Sequence, residues 1–228
     1  MRDAAPSFDS LARWYRALEF LAFGRDLERA RFCFIGRLRA CRSILVLGEG
    51  DGRFLELLVG EAPGAAIHCV DSSGAMLALA SARVPAGRVT FERADALSLE
   101  PAPSRYDAVV TLFFLDCFRA SQVEDLVRRV CSGLGPGAVW LWADFSIPGR
   151  GPARWRAKAW VAILYAFFRF CTGLPARELP PVEETLARAG LRREAFRDFQ
   201  WGLVRSAAYS APQRVATGAA GAGFEPVR

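Results

Sequence analysis

The sequence predicts an α/β domain built on a doubly wound, mostly parallel sheet. Short apolar segments with the length and composition of buried strands occur at 44–47, 66–70, 89–92, 107–112 and 138–143. Helical patterns alternate with these segments, at 53–60, 74–82 and 121–133. Such alternation is typical of parallel strands joined by crossover helices. Glycines follow the first strand and carboxylates follow the next two, so a ligand is expected at the carboxyl ends of the strands.

The regions on either side of this alternation have different patterns. Apolar residues at helical spacing over 8–40 predict two helices with a bend at Phe23 and Gly24, and an aromatic, basic helix is expected at about 152–171. The last stretch is rich in glycine and alanine and lacks periodicity, which predicts disorder. The chain thus divides into an N-terminal helical cap, a main domain and a disordered tail, at 1–43, 44–210 and 211–228.

The composition is that of one globular domain. With 228 residues and 52% hydrophobic content, the chain can bury a full core. Its net charge of +6 comes almost entirely from arginine, since Lys158 is the only lysine, and the arginines are scattered along the predicted helices. We therefore favour solvated helix faces over a nucleic-acid site, and no nucleic-acid partner is expected.

Metal-binding and membrane-spanning proteins are not expected either. The six cysteines form no C-x-x-C pair and mostly lie in apolar runs, which predicts buried thiols rather than a metal site or a disulfide framework. No apolar run reaches the roughly 18 residues that span a bilayer, and the N-terminus lacks the pattern of a secretory leader. The resulting expectation is a cytoplasmic protein without a metal, and the sequence does not indicate its oligomeric state.

The most informative segment is ILVLGEGDGRF, residues 44–54, in which a buried strand runs into a glycine turn and then into a helix pattern. The turn alternates glycines and acids: Gly48, Glu49, Gly50, Asp51 and Gly52. Glycine is needed where the backbone takes a positive φ or lies against a ligand. The spacing G-x-G-x-G is one residue tighter than the dinucleotide fingerprint, and the two carboxylates would repel a pyrophosphate. They suit a ligand with a cationic amino acid end, such as S-adenosylmethionine.

The order of motifs resembles the class I S-adenosylmethionine-dependent methyltransferases over roughly residues 40–145. The motifs are GEGDG, CVDSSGAM, RADAL, YDAVVTLFFLDCF and LGPGAVWLWADF. The outer segments FDSLARWYRALEFLAFG, YAFFRFCTGL and ETLARAGLRREAFRDFQWGLV are similar to those of the ubiquinone/menaquinone-biosynthesis type. The resemblance implies a Rossmann-like sheet of seven strands, the last two an antiparallel pair within 190–209, with a helical lid at about 152–171.

The resemblance also assigns residues to the cofactor, S-adenosylmethionine. The loop backbone would contact its methionine moiety, Asp71 the ribose hydroxyls, and Asp95 with Ala96 the adenine. Each acid has a simpler interpretation too, since Asp71 could cap the helix that follows it and Asp95 could be a turn residue. Val46 stands where the family usually has an acid, whose role would pass to Glu49 or Asp51. The predicted cofactor-binding residues are Gly48, Glu49, Gly50, Asp51, Gly52, Asp71, Ser72, Met76, Asp95, Ala96 and Thr111.

The methyl acceptor is expected after the fourth strand, at LFFLDCF, whose phenylalanines could line its pocket. Asp116 in this segment is either a desolvated base with a raised pKa or a helix cap. The only histidine, His68, lies within a predicted strand and is interpreted as a core or sheet-face residue. The predicted catalytic residues are Asp116, Tyr165 and Tyr15, with Asp144 as a further candidate base.

The aromatic helix at 152–171 has two interpretations, because so much apolar surface needs a partner. It is either a lid over the acceptor pocket or a peripheral membrane helix that collects a lipophilic acceptor. The second interpretation rests on Trp155 and on its basic neighbours Arg154, Arg156 and Lys158. We favour the lid.

The leading functional prediction is methyl transfer from S-adenosylmethionine to a small, largely apolar acceptor of aromatic or quinone-like character. The competing prediction is a non-catalytic relative of the same fold that binds a nucleotide or a partner protein. Placing an acceptor lone pair opposite the leaving sulfur supplies much of the rate of methyl transfer, so a dedicated base is not always needed.

Overall fold

The computed structural model describes residues 25–172 and 178–213, and in the helix that ends at residue 172 it describes side chains as far as Ile163. Residues 1–24 of the predicted cap and residues 214–228 of the predicted tail lie outside these ranges. The predicted main domain ends at residue 210, and the backbone N–H of Ala211 still donates to the carbonyl of Ala138 at 2.8 Å. Pairing with the sheet therefore continues past that predicted boundary.

The strands form one sheet in the order β3-β2-β1-β4-β5-β7-β6. Their bounds are β1 Ser43–Leu47, β2 Ala66–Asp71, β3 Val89–Arg93, β4 Tyr106–Leu112, β5 Leu134–Phe145, β6 Arg192–Phe199 and β7 Val204–Ser210. The first five strands pair in parallel, whereas β7 runs antiparallel to both β5 and β6. The predicted doubly wound, mostly parallel sheet of seven strands is confirmed.

The helices alternate with the strands as predicted. They are α1 Asp26–Phe32, α2 Arg53–Glu61, α3 Gly74–Ser81, α4 Ala120–Ser132, α5 Pro152–Thr172 and α6 Val182–Arg188. Short 3-10 turns lie at Ile35–Leu38, Ala96–Ser98, Leu115–Cys117 and Gln200–Gly202. The helices predicted at 53–60, 74–82 and 121–133 agree with α2, α3 and α4 to within one residue at each end.

Strand β1 shows why the apolar runs lack the alternation of a half-exposed strand. Leu45 and Leu47 belong to the core on one face of the sheet, and Ile44 and Val46 belong to the core on the other. Both faces are therefore buried, as is usual for parallel sheets. Because the chain continues from β1 to β2 on one side and β4 lies on the other, the crevice at the carboxyl ends of β1 and β4 is a topological switch point, where ligands bind.

A third apolar cluster joins helix α5 to the rest of the domain. Ala157 and Val161 of α5 pack with Leu27 and Ala30 of α1 and with residues at the start of β7. Phe113, which follows β4, packs against the same cluster. Helix α5 is therefore placed beside the segment in which the sequence predicts the acceptor. Within the described ranges, no helix is long and apolar enough to cross a membrane.

Candidate active site

An open cavity of about 720 Å³, including the solvent at its mouth, lies at the carboxyl ends of β1, β2 and β4. Part of its wall is formed by residues that the sequence predicts to bind the cofactor: Gly48, Glu49, Gly50, Asp51, Asp71, Ser72 and Met76. The remainder comes mainly from the segment after β4 and from arginine side chains. The fold thus brings the glycine loop and the predicted acceptor segment to one space.

The three loop glycines all have positive φ, at 65° for Gly48, 76° for Gly50 and 89° for Gly52. A Cβ at Gly48 would lie 2.0 Å from the ring of Phe114, and a Cβ at Gly52 would lie 2.5 Å from the Cα of Ala80. At Gly50 it would meet no heavy atom of the described chain within 4 Å. Gly48 and Gly52 therefore permit close packing, whereas Gly50 faces space that a ligand can fill.

Glu49 points back towards the helix that the loop introduces. Its Oε1 accepts hydrogen bonds from the backbone N–H groups of Phe54 at 2.9 Å and Leu55 at 3.3 Å, which satisfies two free donors at the start of α2. The side chain is buried, and this burial raises the pKa of Glu49 to about 7. The carboxyl also lines the cavity, where a nearby cation would favour its ionised form.

Asp51 is held by two arginines. Its Oδ1 accepts from Nε of Arg53 at 2.9 Å, and its Oδ2 lies 3.4 Å from a guanidinium nitrogen of Arg83. Arg83 also donates to the backbone carbonyl of Asp51 at 2.6 Å, which fixes the loop against α3. Val46, the departure from the family pattern, is buried in the core beneath the sheet. The loop itself therefore supplies the two carboxylates at this end of the cavity.

Asp71 and Ser72 line the cavity where β2 ends. Asp71 Oδ1 accepts from the backbone N–H of Ser73 at 2.9 Å. Ser73 is the residue that caps α3, because its Oγ accepts from the backbone N–H of Met76 at 3.2 Å. Asp71 thus braces the cap and faces the cavity at once, so that its two interpretations from the sequence are compatible.

The structure does not bring every predicted cofactor residue to the cavity. Asp95 Oδ1 accepts from the backbone N–H of Leu97 at 3.0 Å, which makes Asp95 the cap of a 3-10 turn, and Ala96 is buried in the core. The Thr111 side chain does not line the cavity either. It is fully buried, and its hydroxyl accepts from the indole N–H of Trp140 at 2.9 Å, because Thr111 faces the sheet core rather than the crevice.

The wall expected to face the acceptor is apolar and aromatic. Phe113, Phe114 and Phe118 line it together with Leu112 and Cys117. The rings of Phe114 and Phe118 meet edge to face with centroids 5.0 Å apart, and Phe113 adopts a positive φ of 55°. A non-glycine residue in this conformation stores strain of about 1–3 kcal/mol, which is typical of functional sites.

Arg31 is a residue of this site that the sequence does not single out. It projects from α1, is buried, and lines the cavity with its guanidinium carbon 5.0 Å from the centroid of Phe113. Burial raises the pKa of Glu49, and the positive charge of Arg31 lowers it by a smaller amount. No local pattern in the DLERARF segment distinguishes Arg31 from its arginine neighbour, since its role depends on how α1 packs against the sheet.

Asp116 and Asp144 form a buried pair of carboxyls behind this wall. Asp144 Oδ1 accepts from the backbone N–H of Phe114 at 3.0 Å, and its Oδ2 accepts from the indole N–H of Trp142. Burial raises the pKa of Asp116 to about 6 and that of Asp144 well above its usual value, with the charge of Asp116 adding to the second shift. These shifts favour one proton shared between the two groups.

Two of the predicted catalytic residues are Tyr15 and Tyr165. Residue Tyr15 and the side chain of Tyr165 lie outside the described residues. Cys117, next to Asp116, lines the cavity, and its thiol donates to Asp116 Oδ1 at 3.6 Å. His68 contacts the hydroxyl of Tyr106 at 2.6 Å and Glu92 at 2.8 Å, and these residues line a different depression of the surface.

Comparison with known proteins agrees with this geometry. Residues 44–137 match the family described as a methyltransferase domain. This match identifies that part of the chain as a methyltransferase domain. Two trans-aconitate 2-methyltransferases are similar to the chain: that of Methylobacterium nodulans is 40% identical over 95 residues and that of Delftia acidovorans 33% identical over 128 residues. These matches cover 41% and 55% of the chain but only 36% and 47% of the relatives' own lengths.

Solved structures share the fold of this methyltransferase domain at low sequence identity. An O-methyltransferase family protein from Burkholderia thailandensis superposes with a TM-score of 0.65 at 15% identity, covering 90% of the chain and 58% of that protein. The N-methyltransferase NodS from Bradyrhizobium japonicum gives a TM-score of 0.58 at 16% identity, covering 82% and 97%. Since both O- and N-methyltransferases share the fold, the fold does not select the acceptor atom.

The cavity of the methyltransferase domain fits the cofactor of its family. The space in front of Gly50 would admit the methionine moiety, and the carboxylates of Glu49 and Asp51 would suit its ammonium and sulfonium charges. Asp71 would hold the ribose hydroxyls, and Ser72 and Met76, which also line the cavity, would lie towards the adenine. A nucleotide phosphate suits the site less well, because acidic side chains flank the loop.

Proposed function

We propose that the chain transfers a methyl group from S-adenosylmethionine to a small, largely apolar acceptor of aromatic or quinone-like character. The observation that supports this proposal most directly is the two-sided cavity. Its polar end carries Glu49, Asp51 and Asp71, whereas its other wall carries Phe113, Phe114 and Phe118. A charged donor and an aromatic acceptor would thus meet in one space with matching surroundings.

The cofactor supplies a methyl group on a positively charged sulfur, which is a good leaving group. The acceptor's lone pair forms the new bond to the methyl carbon as the carbon–sulfur bond breaks, and the acceptor then loses a proton. The phenylalanine wall would orient the acceptor and exclude water. Holding the two reactants in line supplies a large part of the rate in such displacements.

Asp116 is the proton acceptor that we propose. Its pKa near 6 suits a base at neutral pH, and Cys117 separates it from the cavity. Asp144 would have a positioning role, because it binds the backbone N–H of Phe114 and so fixes that ring. A small rearrangement of the Leu115–Cys117 turn would be required to bring the carboxylate of Asp116 into contact with the acceptor.

A second candidate is an acceptor that carries a carboxylate. Two observations favour it: Arg31 presents a buried positive charge at the cavity, and the relatives that match the chain are named for trans-aconitate. An arginine binds a carboxylate through two parallel hydrogen bonds, which gives both affinity and orientation. The same guanidinium could instead hold the carboxylate of the cofactor's methionine moiety.

The test is methyl transfer from labelled S-adenosylmethionine to two acceptor panels, one of phenols and hydroquinones and one of unsaturated carboxylic acids that includes trans-aconitate. Turnover confined to the first panel supports the leading proposal, and turnover confined to the second replaces it. Cofactor binding without turnover on either panel would favour the non-catalytic alternative. No binding of S-adenosylmethionine at millimolar concentration would contradict the enzyme proposal altogether.

Arg31→Gln distinguishes the roles of that side chain, with Arg31→Lys as the control that keeps the charge. If Arg31 binds an acceptor carboxylate, Arg31→Gln lowers kcat/KM for acids by about 10–100-fold and leaves cofactor affinity nearly unchanged, because a charge-assisted hydrogen bond contributes roughly 1.5–3 kcal/mol. If it binds the cofactor, calorimetric affinity for S-adenosylmethionine falls instead. An unchanged protein in both assays would exclude Arg31 from either contact.

A further inference from the structure

Large apolar side chains are exposed on the outer side of helix α5 and on the neighbouring 3-10 turn. Trp155 is 73% exposed, Ile163 is 59% exposed, and Trp201 in the turn Gln200–Gly202 is 77% exposed. Together with the exposed bases Arg154 and Lys158, these residues are here named the aromatic–basic surface. Exposed apolar groups of this size within a small region indicate an interaction site rather than chance exposure.

The turn that carries Trp201 is strained and firmly held. Gln200 and Trp201 have positive φ values of 50° and 54°, a conformation that is strained for a residue other than glycine. Arg156 donates to the carbonyl of Gln200, and its guanidinium lies 4.5 Å from the centroid of the Trp201 ring. The Gln200 side chain donates to Asp26 at 2.7 Å. The protein therefore holds this indole in solvent at a cost, which favours a functional role.

Helix α5 is apolar on two sides. Ala157 and Val161 face inward and pack against α1 and the start of β7, whereas Trp155 and Ile163 face outward. An ordinary surface helix has one apolar stripe and one polar face. The inner stripe already accounts for the packing of α5 on the domain, whereas the outer stripe has no packing partner in the described part of the chain.

The charge of this region selects the kind of partner. Between Asp144 and Glu178 the sequence has no acidic residue, and its basic residues there are Arg150, Arg154, Arg156, Lys158, Arg169 and Arg177. Lys158 also lies 5.5 Å from the ring centroid of Trp155, so that charge and indole share one patch. Tryptophans flanked by bases, on an element parallel to the surface, are typical of segments that lie at the interface of anionic membranes.

We propose that the aromatic–basic surface docks the protein on anionic lipid membranes. The indoles would enter the headgroup region, and the bases would contact lipid phosphates. The link between membrane docking and catalysis rests on the proposed function. Phe113 and Cys117 line the cavity and pack against the same cluster as Ala157 and Val161, so docking would bring the acceptor end of the cavity close to the lipid. A lipophilic acceptor could then reach the cavity from the membrane.

The experiment is sedimentation of the full chain with vesicles of phosphatidylcholine alone or of phosphatidylcholine with phosphatidylglycerol, without cofactor or acceptor. We expect binding to the anionic vesicles at low salt and its loss at high salt, since the charge contribution is screened over a Debye length. Replacing Arg154 and Lys158 by Gln should lower the partition coefficient about fivefold for each charge removed. The Trp155→Ala/Trp201→Ala variant should lower it by about tenfold or more.

The matched control is Leu57→Ala/Leu79→Ala, which removes two side chains that are 47% and 42% exposed on α2 and α3. It should bind vesicles as the unchanged protein does. Equal loss in the control and in the tryptophan variant, or retained binding by the tryptophan variant, would overturn the proposal. So would a protein that stays in the supernatant with lipid in excess, whether as a monomer or as a dimer that covers these indoles. Because the assay needs no turnover, its failure would leave the methyltransferase proposal intact.

Discussion

Replacing Gly50 by valine separates backbone strain from loss of ligand space. Gly50 has a φ of 76°, and a Cβ built on it meets no described heavy atom within 4 Å although it faces the cavity. Gly87, in the turn before β3, is its matched control. It has a φ of 77° and the same absence of described neighbours within 4 Å, and it does not line the cavity.

The magnitudes follow from these two environments. Valine at a positive φ costs about 1–3 kcal/mol at either position, and the described chain adds no clash to that cost. For a domain of this size each kcal/mol lowers Tm by roughly 2–4 °C, so both variants should lose similar stability. Only Gly50→Val also fills the space of the cofactor. We expect its affinity for S-adenosylmethionine to fall at least about 100-fold, which corresponds to about 2.7 kcal/mol.

Thermal unfolding without ligand and calorimetric titration with S-adenosylmethionine and S-adenosylhomocysteine measure the two effects separately. Gly87→Val should bind both ligands with unchanged affinity. Unchanged affinity in a folded Gly50→Val protein would refute the reasoning, because the loop would then be a structural turn without a ligand against it. Lost affinity in both variants would trace the defect to general destabilisation rather than to the cavity.

Two further predictions concern carboxylates. Asp71→Ala should weaken S-adenosylmethionine binding by roughly 1.5–3 kcal/mol in calorimetry. Asp95→Ala should weaken it less, because Asp95 does not line the cavity. A larger loss of affinity in Asp95→Ala than in Asp71→Ala would mean that the ribose binds elsewhere. The raised pKa of Asp116 means that the folded state binds the proton of this carboxyl more tightly than the unfolded state does. The free energy of unfolding should therefore fall by on the order of 2–3 kcal/mol as the pH rises from about 4 to about 6. Glu49, with a pKa of about 7, should extend this fall towards neutral pH. Denaturant titrations without ligand should show a shallower fall for Asp116→Asn, and an identical slope would contradict the buried pair.

The sequence predicts those parts of the fold that depend on local pattern. Strand β1 and helix α2 could be placed because a buried parallel strand is apolar throughout and because glycines mark the turn between them. Which residues of β4 face the crevice could not be predicted. Neighbouring strand residues point to opposite faces, so Leu112 lines the cavity while Thr111 is buried against Trp140, and only the packing decides between them.

Long-range packing also explains the site residues that the sequence missed. Arg31 reaches the cavity because α1 packs beside the segment after β4, and no spacing rule connects residue 31 with Phe113. Gly48 was predicted as a ligand contact, and the structure adds a packing reason, since the ring of Phe114 occupies the place of a side chain there. The loop sequence indicates that a glycine is needed at position 48, whereas the ring that makes it necessary belongs to Phe114, 66 residues further along the chain.

The acceptor assays and the vesicle assay constrain each other. A dicarboxylic or tricarboxylic acid is soluble in water and needs Arg31 but no membrane, whereas a quinone-like acceptor partitions into lipid and needs the phenylalanine wall. Membrane binding combined with indifference to Arg31→Gln therefore favours the lipophilic acceptor. The acid is favoured by the absence of membrane binding together with a fall of kcat/KM in Arg31→Gln at unchanged affinity for S-adenosylmethionine. An amphiphilic acceptor with a carboxylate and an aromatic body would use both walls of the cavity. It would require, in the same protein, membrane binding through the aromatic–basic surface and a fall of kcat/KM in Arg31→Gln at unchanged affinity for S-adenosylmethionine, and neither single-class acceptor predicts that combination.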